Sequence, residues 1–274
     1  MSHIRSITLA TENIDKTIDL FHNVLGMTYQ KKNNTVQFGD AAINPGTRIQ
    51  FVEVNQPIQQ EHQHFQLIGL RTPSDEGIRE YEDIFHQHRL DYQEPTFMNG
   101  HSHLAFYDSN EQRFDIFSNE NNTGVGLGIP NEESTVNPLH QLQGVGPVII
   151  KTNELMITIA LLTQIFNFEV FAEYVTPQTQ IRTVVLQSQN GGLGAEIHVF
   201  ESAETVILPE YGIVEQVEFT AQNMSEFNDA INKLKAHQMP YEILKNDQQH
   251  TRSIRINDAN GISYILTLEQ QEEG

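Results

Sequence analysis

Two periods of apolar and polar residues alternate along this chain, and the order in which they change is repeated. The β-branched run Ser6–Ala10 predicts a short strand. From Asn13 to Leu25 the apolar residues Ile14, Ile18, Phe21 and Leu25 fall at intervals of four and three, so they share one helix face. Gly26 follows directly and suits a helix C-terminus. Thr35–Phe38 and Arg48–Val54 then alternate as half-buried strands do, with Asn44-Pro45-Gly46 as the turn between them.

The same order returns further on. Ile68-Gly69-Leu70, a helical pattern near 75–88 and Tyr92 have counterparts 149 positions later in Val217-Glu218-Phe219, a helical pattern near 225–237 and Tyr241. Phe114-Asp115-Ile116 parallels Tyr264-Ile265-Leu266, and Val24-Leu25-Gly26-Met27 parallels Ile165-Phe166-Asn167-Phe168. Weak identity with conserved order and spacing marks internal duplication. Four βαβββ modules are expected, at 1–54, 62–118, 142–200 and 212–268. They are expected to form an N-terminal domain 1–118, a linker 119–141 rich in Asn, Gly, Pro and Glu, and a C-terminal domain 142–274. One such module cannot cover both faces of its sheet. The predicted fold is therefore α+β, with modules paired into two curved, barrel-like sheets, each around a cavity lined by alternate strand residues.

Composition narrows the partners. The 274 residues carry a formal charge of −20, which argues against nucleic acid or an anionic membrane as partner. No stretch approaches the roughly 20 apolar residues of a membrane helix. The absence of cysteine removes disulfides and thiolate metal sites. The N-terminal residues enter a strand-like segment without the blocks of a signal peptide, so a cytoplasmic protein is expected.

Several strings resemble the vicinal oxygen chelate superfamily of glyoxalases, bleomycin-resistance proteins and extradiol dioxygenases. They are Asn13-Ile14-Asp15, Val24-Leu25-Gly26-Met27, Lys31-Lys32, Phe38-Gly39-Asp40 with Pro45-Gly46-Thr47, Leu142–Pro147, Tyr211-Gly212 and Arg252-Ser253-Ile254. The likeness is strongest to hydroquinone-type ring-cleaving dioxygenases, and most specific from Phe38 to Phe51. It implies a two-histidine, one-glutamate metal triad with Fe(II) or Mn(II) at three strand positions. Those positions are here Ser6, Gln216 and Ile265. A hydroxyl, a neutral amide and an alkyl group do not make such a site.

No metal and no cofactor are therefore predicted, and no catalytic residue is assigned. The cavity-lining candidates are Ser6, Thr8, Gln216, Glu218, His250, Arg252, Ser263 and Ile265, with Arg252 or Arg255 expected to neutralise Glu218. His62-Gln63-His64 and His101-Ser102-His103 each place two rings on one strand face, a spacing able to chelate, but neither has an evident carboxylate partner. A second cavity between modules two and three would show Leu67, Gly146 or Pro147, and Asp115. Gly124–Gly128 and Gly191–Gly194 suit loop and hairpin, since neither shows the strand-to-helix context of a phosphate loop.

The expected function is a non-catalytic protein binding a small aromatic or quinone-like molecule, or a pseudoenzyme. The alternative is an active ring-cleaving dioxygenase or glyoxalase-type enzyme with shifted Fe(II) or Mn(II) ligands. The resemblance also implies a homodimer.

Overall fold

The modules fold in the order the pattern predicts, because apolar helix stripes and the apolar faces of the interior strands must be buried. The computed structural model describes residues 3–98, 100–176, 180–189, 191–246, 250–259 and 261–269. The first module comprises β1 (Ile4–Thr11), α1 (Ile14–Ile18), β2 (Thr28–Lys32), β3 (Thr35–Gly39) and β4 (Arg48–Glu53). Asn13 caps α1 by accepting from the backbone N–H groups of Asp15 and Lys16, and a π-helical turn over Asp19–Val24 carries the chain on to Gly26. The second comprises β5 (Phe65–Thr72), α2 (Asp75–His88), β6 (Tyr92–Met98), β7 (His101–Tyr107) and β8 (Arg113–Ser118). The third comprises β9 (Val145–Thr152), α3 (Leu155–Gln164), β10 (Glu169–Val175), β11 (Arg182–Gln187) and β12 (Glu196–Glu201). The fourth comprises β13 (Gln216–Ala221), α4 (Met224–Ala236), β14 (Glu242–Asn246), β15 (Thr251–Asn257) and β16 (Ser263–Glu269).

Two eight-stranded mixed sheets result. Module 1 joins module 4 in the order β14-β15-β16-β13-β1-β4-β3-β2, and module 2 joins module 3 in the order β10-β11-β12-β9-β5-β8-β7-β6. The sheets are curved and not closed. The joints are the antiparallel pairs β1–β13 and β5–β9, so each sequence half supplies one module to each sheet. The helix-bearing faces share a core. Phe21 packs within 5.2 Å (ring centroids) of Phe38 and Phe51 of its own module and of Phe114 from module 2. Phe166 meets Phe219 at 4.9 Å and so ties module 3 to module 4.

The segment between the halves is anchored along its length. Buried Arg71 donates to Asn119 Oδ1 and to the carbonyls of Val125 and Gly126. Asp40 accepts from Ile129 N–H at 2.8 Å, and Ser134 Oγ donates to the Gly26 carbonyl. A Cβ on Gly26, whose φ is +74°, would also lie 2.4 Å from Ser134 Oγ, so this glycine serves both as helix end and as docking point. Composition alone suggests a slack connector over Gly124–Gly128; the structure shows its carbonyls held by a buried guanidinium.

Candidate functional site

The concave face of the module 1–module 4 sheet forms a cleft of about 510 Å³. Its walls are polar: Ser6 and Thr8 from β1, Gln216 and Glu218 from β13, Arg48 and Gln50 from β4, with asparagine, glutamine and threonine around the rim. Glu218 is opposite Ser6 across the β1–β13 joint and beside Ile265 of β16. Its carboxylate accepts from Ser6 Oγ at 2.9 Å and from Thr267 Oγ1 at 2.5 Å. Arg5 Nε lies 3.2 Å from the same carboxylate, and Arg5 Nη1 lies 2.8 Å from Glu269.

Arg5 reaches this face because the β1–β13 register slips by one residue between Ile4 and Ser6. On a regular strand Arg5 and Ser6 point oppositely; a bulge turns both to one side. Arg5 is only 3% exposed there, so its charge is nearly desolvated. Arg48 sits close by, with its pKa lowered by burial and by the repulsion of Arg5, an effect that Glu218 and Glu269 partly offset.

The other candidates are placed as follows. Gln216 and Thr8 face one another across the joint and line the cleft. Ile265 is nearly buried, at the register position of Glu218. Ser263 is buried and donates to Asn257 Oδ1 at 2.7 Å. His250 lies exposed in the turn before β15, in the left-handed region with φ of 49°; its neighbour Thr251 lines the cleft. Arg252 points to the opposite face of β15, where its guanidinium lies 5.6 Å from the Phe227 ring centre on α4. Arg255 pairs with Glu242. The neutralising partner of Glu218 is thus Arg5, not Arg252 or Arg255, since alternation along β15 sends Arg252 to the core and Glu242 engages Arg255.

One histidine of each pair, His64 and His103, is engaged with a carboxylate that sequence spacing does not reveal. His64 bonds Glu215 at 2.6 Å, and His62 packs its ring edge-on to Tyr211. His103 bonds Asp115 at 2.8 Å and Thr96 at 2.9 Å, while Arg113 forks onto Asp115 from the other side. Burial raises the Asp115 pKa, but these partners outweigh it and leave it below the ordinary value. Among the described residues, no three or more His, Asp or Glu side chains gather as a metal site.

The module 2–module 3 sheet has its own cleft, of about 830 Å³. Leu67, Phe117, Ile149 and Leu193 pack together as a small apolar cluster separate from the main core, and Leu193 reaches the cleft. Gly146 and Pro147 lie on β9 beside it. Beyond this cluster stands a constellation absent from the sequence reading. Glu196 and His198 alternate along β12 and are hydrogen-bonded at 2.5 Å; Gln187 donates to the other Glu196 oxygen, and Tyr174 Oη lies 3.2 Å from His198 Nδ1. Burial works against ionisation of Glu196, but His198, Gln187 and nearby His101 bring its pKa below the ordinary value. The spacing Glu196-Ile197-His198 was a signal available in the sequence; the approach of Tyr174 from another strand was not.

The paired modules and their concave clefts define a protein of the glyoxalase/dioxygenase fold. No family model matches the sequence. A curated relative, the protein named ring-cleaving dioxygenase MhqA of Bacillus subtilis (strain 168), is 29% identical over 209 residues, which cover 72% of this chain and 65% of that relative. The match therefore spans slightly less than two thirds of the relative's length. A crystal structure of a Bacillus subtilis protein described as a dioxygenase superposes with a TM-score of 0.74 at 17% identity, covering 98% of this chain and 86% of the other. Glyoxalase I from Zea mays gives 0.64 at 10% identity, covering 98% and 93%. The resemblance to the vicinal oxygen chelate superfamily stands on these likenesses. Among the described residues, no helix is long and apolar enough to cross a membrane.

Proposed function

We propose that this chain is a metal-independent small-molecule-binding protein built on the glyoxalase/dioxygenase scaffold. The observation that carries this reading is the state of Glu218. It is the carboxylate nearest the three positions where the family resemblance implies ligands, and Ser6, Thr267 and Arg5 already engage it. A cation entering there would have to displace a buried guanidinium and two hydroxyl donors. Gln216 and Ile265 would offer it one weak neutral ligand and none. These residues do not fit Fe(II) or Mn(II). The alternative, an active dioxygenase with shifted ligands, requires Glu218 to exchange all three partners for a metal.

The ligand class we favour is aromatic or quinone-like. The test is the metal content of protein purified without chelators, together with oxygen uptake on hydroquinones. Iron and manganese well below one ion per chain, with no uptake, are the expected results. Stoichiometric iron or manganese with hydroquinone-dependent oxygen uptake would overturn the reading.

A further inference from the structure

The two clefts differ in chemistry. The module 1–module 4 cleft is walled by amides, hydroxyls and charges, with no aromatic side chain among the described lining residues. The module 2–module 3 cleft is bounded by the two edge strands of its sheet, β6 and β10, which curvature brings to opposite lips. Phe97 from β6 is 75% exposed and Phe171 from β10 is 68% exposed. Phe171 is the extra residue where the β10–β11 register slips between Val170 and Ala172, so a bulge aims it at the cleft. Large aromatic rings held in water at the mouth of a cavity suit a flat apolar ligand better than they suit folding.

The polar floor fixes which end of a ligand is read. Glu196 accepts from His198 Nε2, which leaves Nδ1 without a proton in the neutral ring. The Tyr174 hydroxyl, 3.2 Å from Nδ1, must then donate to it. Thr183 hydrogen-bonds the same phenol oxygen, and its remaining lone pair is available to accept from a ligand. Tyr174 lines the cleft and is partly exposed.

We propose that this second cleft binds a hydroxylated benzene, the ring lying between the lips that Phe97 and Phe171 form and its hydroxyl donating to Tyr174 Oη. The assignment rests on the small-molecule-binding reading above and supplies its site and ligand class. Glu196 and His198 act by positioning the tyrosine hydroxyl.

Calorimetry and ligand-observed NMR with phenol, hydroquinone and anisole test it on the full chain. Phenol and hydroquinone should bind saturably, and anisole, which has no hydroxyl to donate, about tenfold more weakly, as expected for one hydrogen bond. Tyr174→Phe should erase the discrimination between phenol and anisole while leaving anisole binding unchanged. Phe171→Ala should weaken all three, with circular dichroism confirming the fold of both variants. Saturable binding that neither variant alters would overturn the site while leaving a small-molecule binder intact. No saturable binding of phenol or hydroquinone at millimolar concentration would overturn the ligand class. Stoichiometric metal with oxygen uptake in the same preparation would overturn the underlying reading instead.

Discussion

Arg5 and Glu218 form an ion pair, 3.2 Å apart, at the joint between the first and last modules. The guanidinium is almost wholly desolvated while the carboxylate keeps a fifth of its surface, so removing the carboxylate strands a buried charge beside Arg48. Breaking a buried pair costs about 3–5 kcal/mol. Partial exposure of Glu218 and the second contact of Arg5 with Glu269 reduce that to about 2 kcal/mol for Glu218→Gln. Urea unfolding measures this loss directly. A neutral effect would show that the pair does not hold the joint.

Arg71 does for the segment between the halves what Arg5 does for the cleft. Its pKa is lowered by burial to about 10, and its side chain donates to three oxygens. Arg71→Met should leave the Val125 and Gly126 carbonyls unpaired and cost about 3 kcal/mol. Limited thermolysin digestion should then cut near Leu127 at least about tenfold faster than in the parent chain, the change that 1.4 kcal/mol of local opening produces. Unchanged resistance would refute the clamp.

Gly69→Ala should disrupt the β5–β9 joint. A Cβ there would fall 2.5 Å from the Gly146 carbonyl carbon and 2.6 Å from Pro147 N, all backbone atoms that cannot swing aside. The expected loss is about 3 kcal/mol, at the upper end for an added methyl group. Thermal denaturation checks it, and a stability equal to the parent's would mean that the strands separate freely.

Asp115 and Glu196 predict acid sensitivity. For both, burial raises the pKa but the histidine and other donors outweigh it, so the folded pKa lies below the unfolded one. A depressed carboxylate contributes stability that is present above its unfolded pKa, about 4, and lost as the pH falls through the folded value. Urea midpoints should therefore fall between about pH 5 and pH 3. Asp115→Asn, though less stable at neutral pH, should show a shallower fall; an equally steep one would exclude Asp115 as a source.

Much of this was legible in the chain. Helical spacing from Ile14 to Leu25 and the repeated Gly69 and Glu218 strands defined four modules. Strand parity put Ser6, Gln216 and Glu218 on one cleft, where the structure has them. The same rule failed for Arg5, because a bulge is a mismatch between two strands and leaves no mark on either alone. His250, an expected lining residue, lies in the turn before β15 and outside the cleft lining.

Local pattern thus determined the elements and their order, because hydrophobic period is a property of short segments. Tertiary structure alone decided which charge meets Glu218. It alone brought Tyr174 to His198 and put Phe97 and Phe171 in the lining of one cleft. Those relationships depend on register slips and on the curvature of eight paired strands, which arise only when segments far apart in sequence hydrogen-bond to one another.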